Sequence, residues 1–334
     1  MMPADKLATV VTAGLGVLVV LIGVIYIRRF RAGQSAGLVK QADDLLSRGQ
    51  ESGALELYDR AMLAAARDPQ PRYAKARALA RLQRHEESLE WYERALALRP
   101  GFAAAQAGRA EALLELGVRD EAIVAADTAL RYDPKLTAAY RTKALALYSE
   151  RGYQAAIDCY EQIIALERRE VSAYYNEAEA LFALGRTAEG VACYDRAIAA
   201  FGEAGHLYAN KAEMLVRLGQ EEAALASYDA ALAGKPEDSY LYAGKARALL
   251  KLGRYREAQE CCQRVLALRP DDAGSYYKLA CAHVGLGEPN QALWALAQAV
   301  ALEPSFRGRA MADDCFAELR ARAEFGQIFG KIEG

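Results

Sequence analysis

The sequence is dominated by a repeating pattern. Its period is fixed and equals the length of the stretch Ser239–Asp272. Moving this stretch by its own length in either direction gives a variant of itself. The eighth place of the repeat is alanine in all eight copies, and the fifteenth is glycine in six of them. The register runs without insertion or deletion from Ser35 to Phe306. A fixed period of this length indicates stacked supersecondary units.

Each copy reads as two amphipathic helices joined by a turn. The fourth, eighth and eleventh places share one helical face, and so do the twentieth, twenty-fourth and twenty-seventh. Alanine, serine or glycine at the eighth and twentieth places lets the two backbones approach closely. The glycine ends the first helix, and a proline such as Pro270 ends the second. The sequence therefore predicts an all-α fold; Gln83 and Arg151 replace the turn glycine in two copies.

Aromatic residues at the fourth and twenty-fourth places complete the pattern. They are Tyr140, Tyr174, Tyr208, Tyr242 and Tyr276, and Tyr58, Tyr92, Tyr160, Tyr194 and Tyr228. With these residues the chain resembles the tetratricopeptide repeat family over residues 35–306, although Leu38, Arg72 and Gln106 make the first three copies less regular. The resemblance implies antiparallel helix pairs in a right-handed superhelical solenoid. It also implies a concave groove, lined by the first helices, that binds a partner protein as an extended peptide or a short helix.

The groove residues follow from the helical period, because they lie opposite the fourth, eighth and eleventh places. We predict a peptide-binding site at Arg141, Tyr175, Asn176, Glu179, Asn210, Glu213, Arg217, Tyr240, Arg247, Lys251, Tyr277 and Lys278. Asparagine amides suit a peptide backbone, and tyrosines offer apolar area with a polar tip. In the alternative interpretation, asparagine at the sixth place is common in the family and the charges only solvate the face.

Some family members clamp the C-terminal carboxylate of cytosolic chaperones with lysine, asparagine and arginine from three successive copies. The corresponding places here hold Arg141 and Leu145, then Asn176, then His206 and Asn210. Only Asn176 and Arg141 fit that pattern. The sequence therefore argues against a receptor for chaperone tails.

The N-terminal region contains a long stretch without a charge, Leu7–Ile27, after a tail of residues 1–6. As a helix this stretch would be about 31 Å long, close to the roughly 30 Å of a bilayer core. We predict a single transmembrane helix, in contact with the lipid bilayer, followed by a basic juxtamembrane linker at residues 28–34. A cleaved secretory signal is the alternative, but the apolar run meets arginines directly and no cleavage site is visible.

Charges beside this stretch predict its orientation. Arg28, Arg29 and Arg31 follow it, whereas Lys6 stands beside Asp5 before it. Basic residues remain cytoplasmic, so the repeats are expected to face the cytoplasm. Small residues at 8, 12 and 16 would let two such helices form a homo-oligomer, or they are ordinary small residues of a membrane helix.

Composition and local motifs point away from several function classes. The formal net charge of −2 provides no basic footprint for nucleic acid. Cys159, Cys193 and Cys261 share the twenty-third place, which predicts that they are apolar packing residues. No CxxC pair is present, so the sequence gives no indication of a zinc or redox site. No catalytic, cofactor or metal motif was found, so we expect no enzyme.

The last residues, 307–334, depart from the period. Phe316, Leu319, Phe325, Ile328 and Phe329 predict a capping helix that covers the last copy. The expected function is a membrane-anchored scaffold that recruits a protein partner. An extracytoplasmic assembly factor for envelope or secreted proteins and an enzyme subunit are the alternatives.

Overall fold

The computed structural model describes residues 4–202 and 205–329, and the side chains of residues 21–202 and 205–326. The described residues form helices and turns, which confirms the predicted all-α class. The chain divides into two units, Met1–Glu167 and Arg168–Gly334. Within each unit, helices that are neighbours in sequence pack against each other as pairs.

Helices of the first unit are α1 Ala4–Ser47, α2 Glu51–Ala64, α3 Gln70–Arg81, α4 His85–Leu98, α5 Ala103–Glu115, α6 Arg119–Tyr132, α7 Thr137–Ser149 and α8 Tyr153–Leu166. The second unit contains α9 Val171–Ala183, α10 Thr187–Phe201, α11 Gly205–Arg217, α12 Glu221–Gly234, α13 Ser239–Lys251, α14 Tyr255–Leu268, α15 Ala273–Gly285 and α16 Pro289–Leu302. After α16 come α17 Phe306–Ala312, a 3₁₀ turn Asp314–Phe316, α18 Ala317–Arg320 and α19 Ala323–Phe329.

The turn between the paired helices has the same backbone conformation in all eight copies. The six glycines at the fifteenth place have φ between 69° and 79°. Gln83 and Arg151, which replace glycine, are also left-handed, each with φ of 61°. The next amide then donates to a carbonyl five residues earlier, as Arg84 does to Leu79 at 3.0 Å. Helix-end hydrogen bonding therefore imposes the turn even on residues that disfavour it.

The paired helices meet at small, fully buried residues. Every alanine at the eighth place has no exposed surface: Ala42, Ala76, Ala110, Ala144, Ala178, Ala212, Ala246 and Ala280. Opposite them, Ser88 is also fully buried, and its Oγ donates to the carbonyl of Ala76 at 2.8 Å. The backbones therefore approach as closely as the sequence pattern predicts.

Successive pairs are joined by a recurring ion pair. An aspartate at the twenty-fifth place of one copy meets a lysine at the seventh place of the next. The pairs are Asp59–Lys75 and Asp127–Lys143 at 2.6 Å, and Asp195–Lys211 and Asp229–Lys245 at 2.5 Å. The aspartates are about half exposed, so each pair contributes at most about 1 kcal/mol.

Helix α1 is continuous through residues 28–34, the expected linker, and into the first repeat. Ser35 is buried there, and its Oγ donates to the carbonyl of Ala61 at 2.8 Å. Among the residues whose side chains are described, no helix is both long and apolar enough to cross a membrane. Most of the predicted span Leu7–Ile27 lies outside those residues.

The C-terminal segment, residues 306–329, is broken into short helices, whereas the sequence predicted one capping helix. The break lies at Asp313, which has an extended backbone and whose carboxylate accepts a hydrogen bond from the Cys315 amide at 3.0 Å. Phe316, Leu319 and Phe325 are buried against residues of α15 and α16. These three thus cover the last pair, while the side chains of Ile328 and Phe329 lie outside the described residues.

The left-handed turn at Arg151 provides a stability test. A non-glycine residue in the left-handed conformation destabilises the folded state by roughly 1–2 kcal/mol. Glycine removes this strain, but its more flexible unfolded chain loses more entropy on folding, which offsets about 0.5–1 kcal/mol of the gain. We expect Arg151→Gly to raise the free energy of unfolding by about 0.5–1 kcal/mol, measured by urea denaturation followed by circular dichroism. Gly117→Ala, at the same place of another copy, should lower it by about 1 kcal/mol. A loss of stability in both variants would contradict this account.

Candidate protein-binding surface

Eleven of the twelve predicted groove residues belong to the second unit. Arg141 is the exception, because it lies half-buried on α7 of the first unit. The others lie on the first helices of four successive pairs, α9, α11, α13 and α15. We call the surface that they line the A-helix face of the second unit.

Most charges on this face are paired with one another across neighbouring copies. The carboxylate of Glu179 accepts a hydrogen bond from Arg217 at 3.1 Å, and Glu213 is ion-paired with Arg247. Lys251 meets Glu221 at 3.1 Å. The two acidic residues that were predicted to bind a peptide, Glu179 and Glu213, are therefore already ion-paired with arginines of the next copy.

The uncharged residues of the face remain accessible in part. Tyr240 is 66% exposed and Tyr175 is 40% exposed. Asn176 and Asn210 are half-buried, and neither side-chain amide makes a hydrogen bond within the described part of the chain. These amides are therefore open to a polar partner.

Tyr277 does not belong to the accessible surface, which corrects the prediction. It is only 3% exposed, because the C-terminal segment covers it. Its hydroxyl donates to Asp313 at 2.6 Å, and its ring packs against Phe306 and Phe316 at centroid distances of 5.0 and 5.4 Å. The guanidinium of Arg309 lies 4.7 Å from the ring centroid. Tyr277 thus anchors the C-terminal segment.

A cavity of about 590 Å³ lies where α13 and α15 meet the C-terminal segment. Four cations line it, namely Arg247, Lys251, Lys278 and Arg309, together with a single carboxylate, that of Asp313. Apolar lining comes from Leu250, Tyr255, Tyr277, Cys281, Val284 and Cys315. The cavity is therefore apolar in its walls and positive in its charge.

Two of the four cations have no carboxylate partner among the described residues. Lys278 only donates to the carbonyl of Gly274, at 3.4 Å, and burial lowers the pKa of its amine. Arg309 contacts aromatic rings alone. Asp313 is the one carboxylate of the cavity lining, and it accepts hydrogen bonds from two neutral donors, the Tyr277 hydroxyl and the Cys315 amide.

Sequence reasoning identified Arg247, Lys251, Tyr277 and Lys278 but missed the rest of the cavity. Arg309, Asp313 and Cys315 come from the segment beyond the last repeat, which was interpreted only as a cap. A signal was available, because continuing the register of the repeats past Phe306 places all three on a helix equivalent to α15.

Family models agree with the repeat. Models described as tetratricopeptide repeat match residues 69–102, 141–192, 175–239, 215–283 and 273–306, which together cover more than half of the chain. The chain belongs to the tetratricopeptide repeat family. The cavity therefore lies at the last copy of a tetratricopeptide array and is completed by residues outside it.

A solved structure shows the same fold. The C-terminal part of a TPR repeat-containing protein from Cytophaga hutchinsonii is 14% identical, with a TM-score of 0.60, over 72% of this chain and 99% of that one. Two others match with lower scores. YrrB, described as a TPR protein with an unusual peptide-binding site, is 21% identical with a TM-score of 0.45, over 54% and 92%. PilF from Pseudomonas aeruginosa is 17% identical with a TM-score of 0.48, over 66% and 96%. A search of curated proteins gave no match.

Proposed function

We propose that the second unit binds an acidic, partly apolar peptide segment of a partner protein, with the cavity beside α15 as its main anchor. A tetratricopeptide fold suggests a protein–protein interaction scaffold and is typically non-enzymatic. The observation that carries the finer proposal is that two cations of the cavity, Lys278 and Arg309, form no ion pair among the described residues, and that only one carboxylate, that of Asp313, lines the cavity.

Charge complementarity favours an anionic ligand. A carboxylate that enters the cavity would meet the amine of Lys278 and the guanidinium of Arg309, neither of which forms an ion pair among the described residues. Hydrogen bonds between ionised partners are among the stronger ones in proteins. A basic or neutral peptide would leave these charges uncompensated, so the site discriminates by sign.

The apolar wall supplies the second part of recognition. Leu250, Tyr255 and Val284 line the cavity beside the cations. An apolar side chain next to the acidic residue would be buried against them. On the same A-helix face, Tyr175, Asn176, Asn210 and Tyr240 remain proposed contacts for the rest of the peptide.

The test compares paired peptides on the full-length chain. Short dye-labelled peptides with one glutamate beside a leucine are each matched with the glutamine version, and binding is measured by fluorescence polarisation. We expect the glutamate peptides to bind about tenfold tighter, a difference of about 1.4 kcal/mol. Lys278→Met and Arg309→Met should each remove most of this preference, because each deletes one unpaired cation.

Arg256→Met is the matched control, since Arg256 is exposed on α14 and does not line the cavity. It should leave the preference unchanged, and circular dichroism checks that all variants are folded. Equal affinity for glutamate and glutamine peptides, or no binding of either, would refute the acidic-peptide proposal.

We also propose that Leu7–Ile27 anchors the chain in a membrane with the repeats on the cytoplasmic side. The support is the absence of charge throughout this stretch and the three arginines after it. In addition, Leu21, Ile22, Ile25, Tyr26 and Ile27 are exposed on α1, where water would otherwise meet them.

Carbonate extraction of membranes measures the anchoring. The full-length chain should stay in the membrane pellet, and a chain that lacks residues 1–27 should move to the supernatant. Removal of residues 1–6 alone is the control and should leave the chain in the pellet. Release of the full-length chain by carbonate would contradict the anchor, and protease digestion of the repeats from outside intact cells would contradict the orientation.

A further inference from the structure

Two of the six cysteines differ from the others in their surroundings. Cys159, Cys193, Cys261 and Cys262 are buried. Cys281 and Cys315 are half-buried, and both line the cavity beside α15. They are thus the thiols that a small molecule can reach.

The repeat register places these two cysteines opposite each other. Cys281 holds the ninth place of the eighth copy, and Cys315, one full period later, holds the equivalent place of the C-terminal segment. Side chains at this place contact each other in two other pairs of neighbouring copies. Asp43 and Arg77 are 3.4 Å apart, and Glu213 is ion-paired with Arg247.

Contacts around the two thiols agree with this placement. Tyr277, one helical turn before Cys281, donates to Asp313, two residues before Cys315, at 2.6 Å. The 3₁₀ turn that contains Cys315 packs on α15, and both cysteines line the same cavity. The fold therefore brings Cys281 and Cys315 to one wall of that cavity.

We propose that Cys281 and Cys315 form a reversible disulfide by exchange with a small-molecule disulfide, and that this bond fastens the C-terminal segment onto α15. The inference does not depend on which peptide the cavity binds.

The exchange takes place in two steps. The thiolate of Cys315 attacks a sulfur of the small disulfide, forms a mixed disulfide and releases one small thiolate, which takes up the Cys315 proton. Cys281 then loses its proton and attacks the Cys315 sulfur, and the second small thiol leaves. Two protein thiols are oxidised to one disulfide, and the small disulfide is reduced to two thiols.

Cys315 is the better first nucleophile. The interaction between the two thiols lowers the pKa of Cys315 and raises the pKa of Cys281. Burial raises the pKa of Cys281 further. The thiolate form is the reactive one, so attack begins at Cys315.

A disulfide here would change how the C-terminal segment is held. In the thiol state the segment is attached by the Tyr277–Asp313 hydrogen bond, by buried aromatic side chains and by Arg320, which donates to the carbonyl of Met311 at 2.7 Å. We expect these contacts to open and close together, as a local cooperative unit. A covalent link would keep Arg309 and Asp313 at the cavity wall through such openings.

Peptide mapping of the purified full-length chain tests the bond. The chain is incubated with oxidised glutathione, alkylated, digested and analysed by mass spectrometry. We expect one linked pair of peptides, joining Cys281 to Cys315 and lost after dithiothreitol. Cys159, Cys193, Cys261 and Cys262 should stay alkylated, and they are the controls within the same sample. Cys281→Ala should stop the reaction at a glutathione adduct on Cys315, and Cys315→Ala should prevent it.

Hydrogen exchange of the amides in residues 306–326 tests the fastening. Exchange should slow at least about tenfold in the oxidised chain relative to the reduced chain, because a disulfide restricts opening of the loop that it closes. A glutathione adduct on wild-type Cys315 without the link would overturn the disulfide, and an intact link with unchanged exchange would overturn the fastening. The wild-type map decides the first point even if a variant fails to fold.

Discussion

The structure depends on the close contact between the two helices of each copy. At the eighth place no side chain larger than alanine separates them, and at the twentieth none larger than serine. Gly190 shows how tight this contact is, since a Cβ at that position would lie 3.1 Å from the carbonyl oxygen of Ala178. Ser88 is tolerated because its hydroxyl replaces that repulsion with a hydrogen bond. The distance between the two helices of a copy in turn determines the geometry of the turn that joins them and the position of the next helix pair.

Fixed spacing between helices also determines which charges meet. Residues one period apart on the A-helix face lie close enough for ion pairs, as Glu213 and Arg247 do. Opposite charges at the ninth place in neighbouring copies therefore neutralise part of the face from within. At α15 the ninth place is Cys281, which supplies no carboxylate. Lys278 and Arg309, which line the same cavity as Cys281, form no ion pair among the described residues.

Local rules explain why the repeats could be predicted from the sequence. Helix pairs, buried alanines and turns depend on residues within about one period. The same residues recur in eight copies, so each copy supports the prediction for the others. The left-handed backbone of Arg151 was not evident from residue type, because the adjacent Gly152 was the better candidate. The burial of Tyr277 was not predictable either. It depends on a segment without a period, whose break at Asp313 comes from specific hydrogen bonds rather than from helix propensity.

The C-terminal segment contains two kinds of residues, and capping accounts for only one of them. Phe316, Leu319 and Phe325 cover the apolar side of the last pair. A segment that only capped the array would need nothing more. Arg309, Asp313 and Cys315 instead border the cavity. Arg309 and Asp313 bring one cation and one carboxylate to the cavity wall, and the carboxylate is held by the hydroxyl of Tyr277. In the second unit, the chemistry of the A-helix face is therefore most distinctive where the repeats give way to this segment.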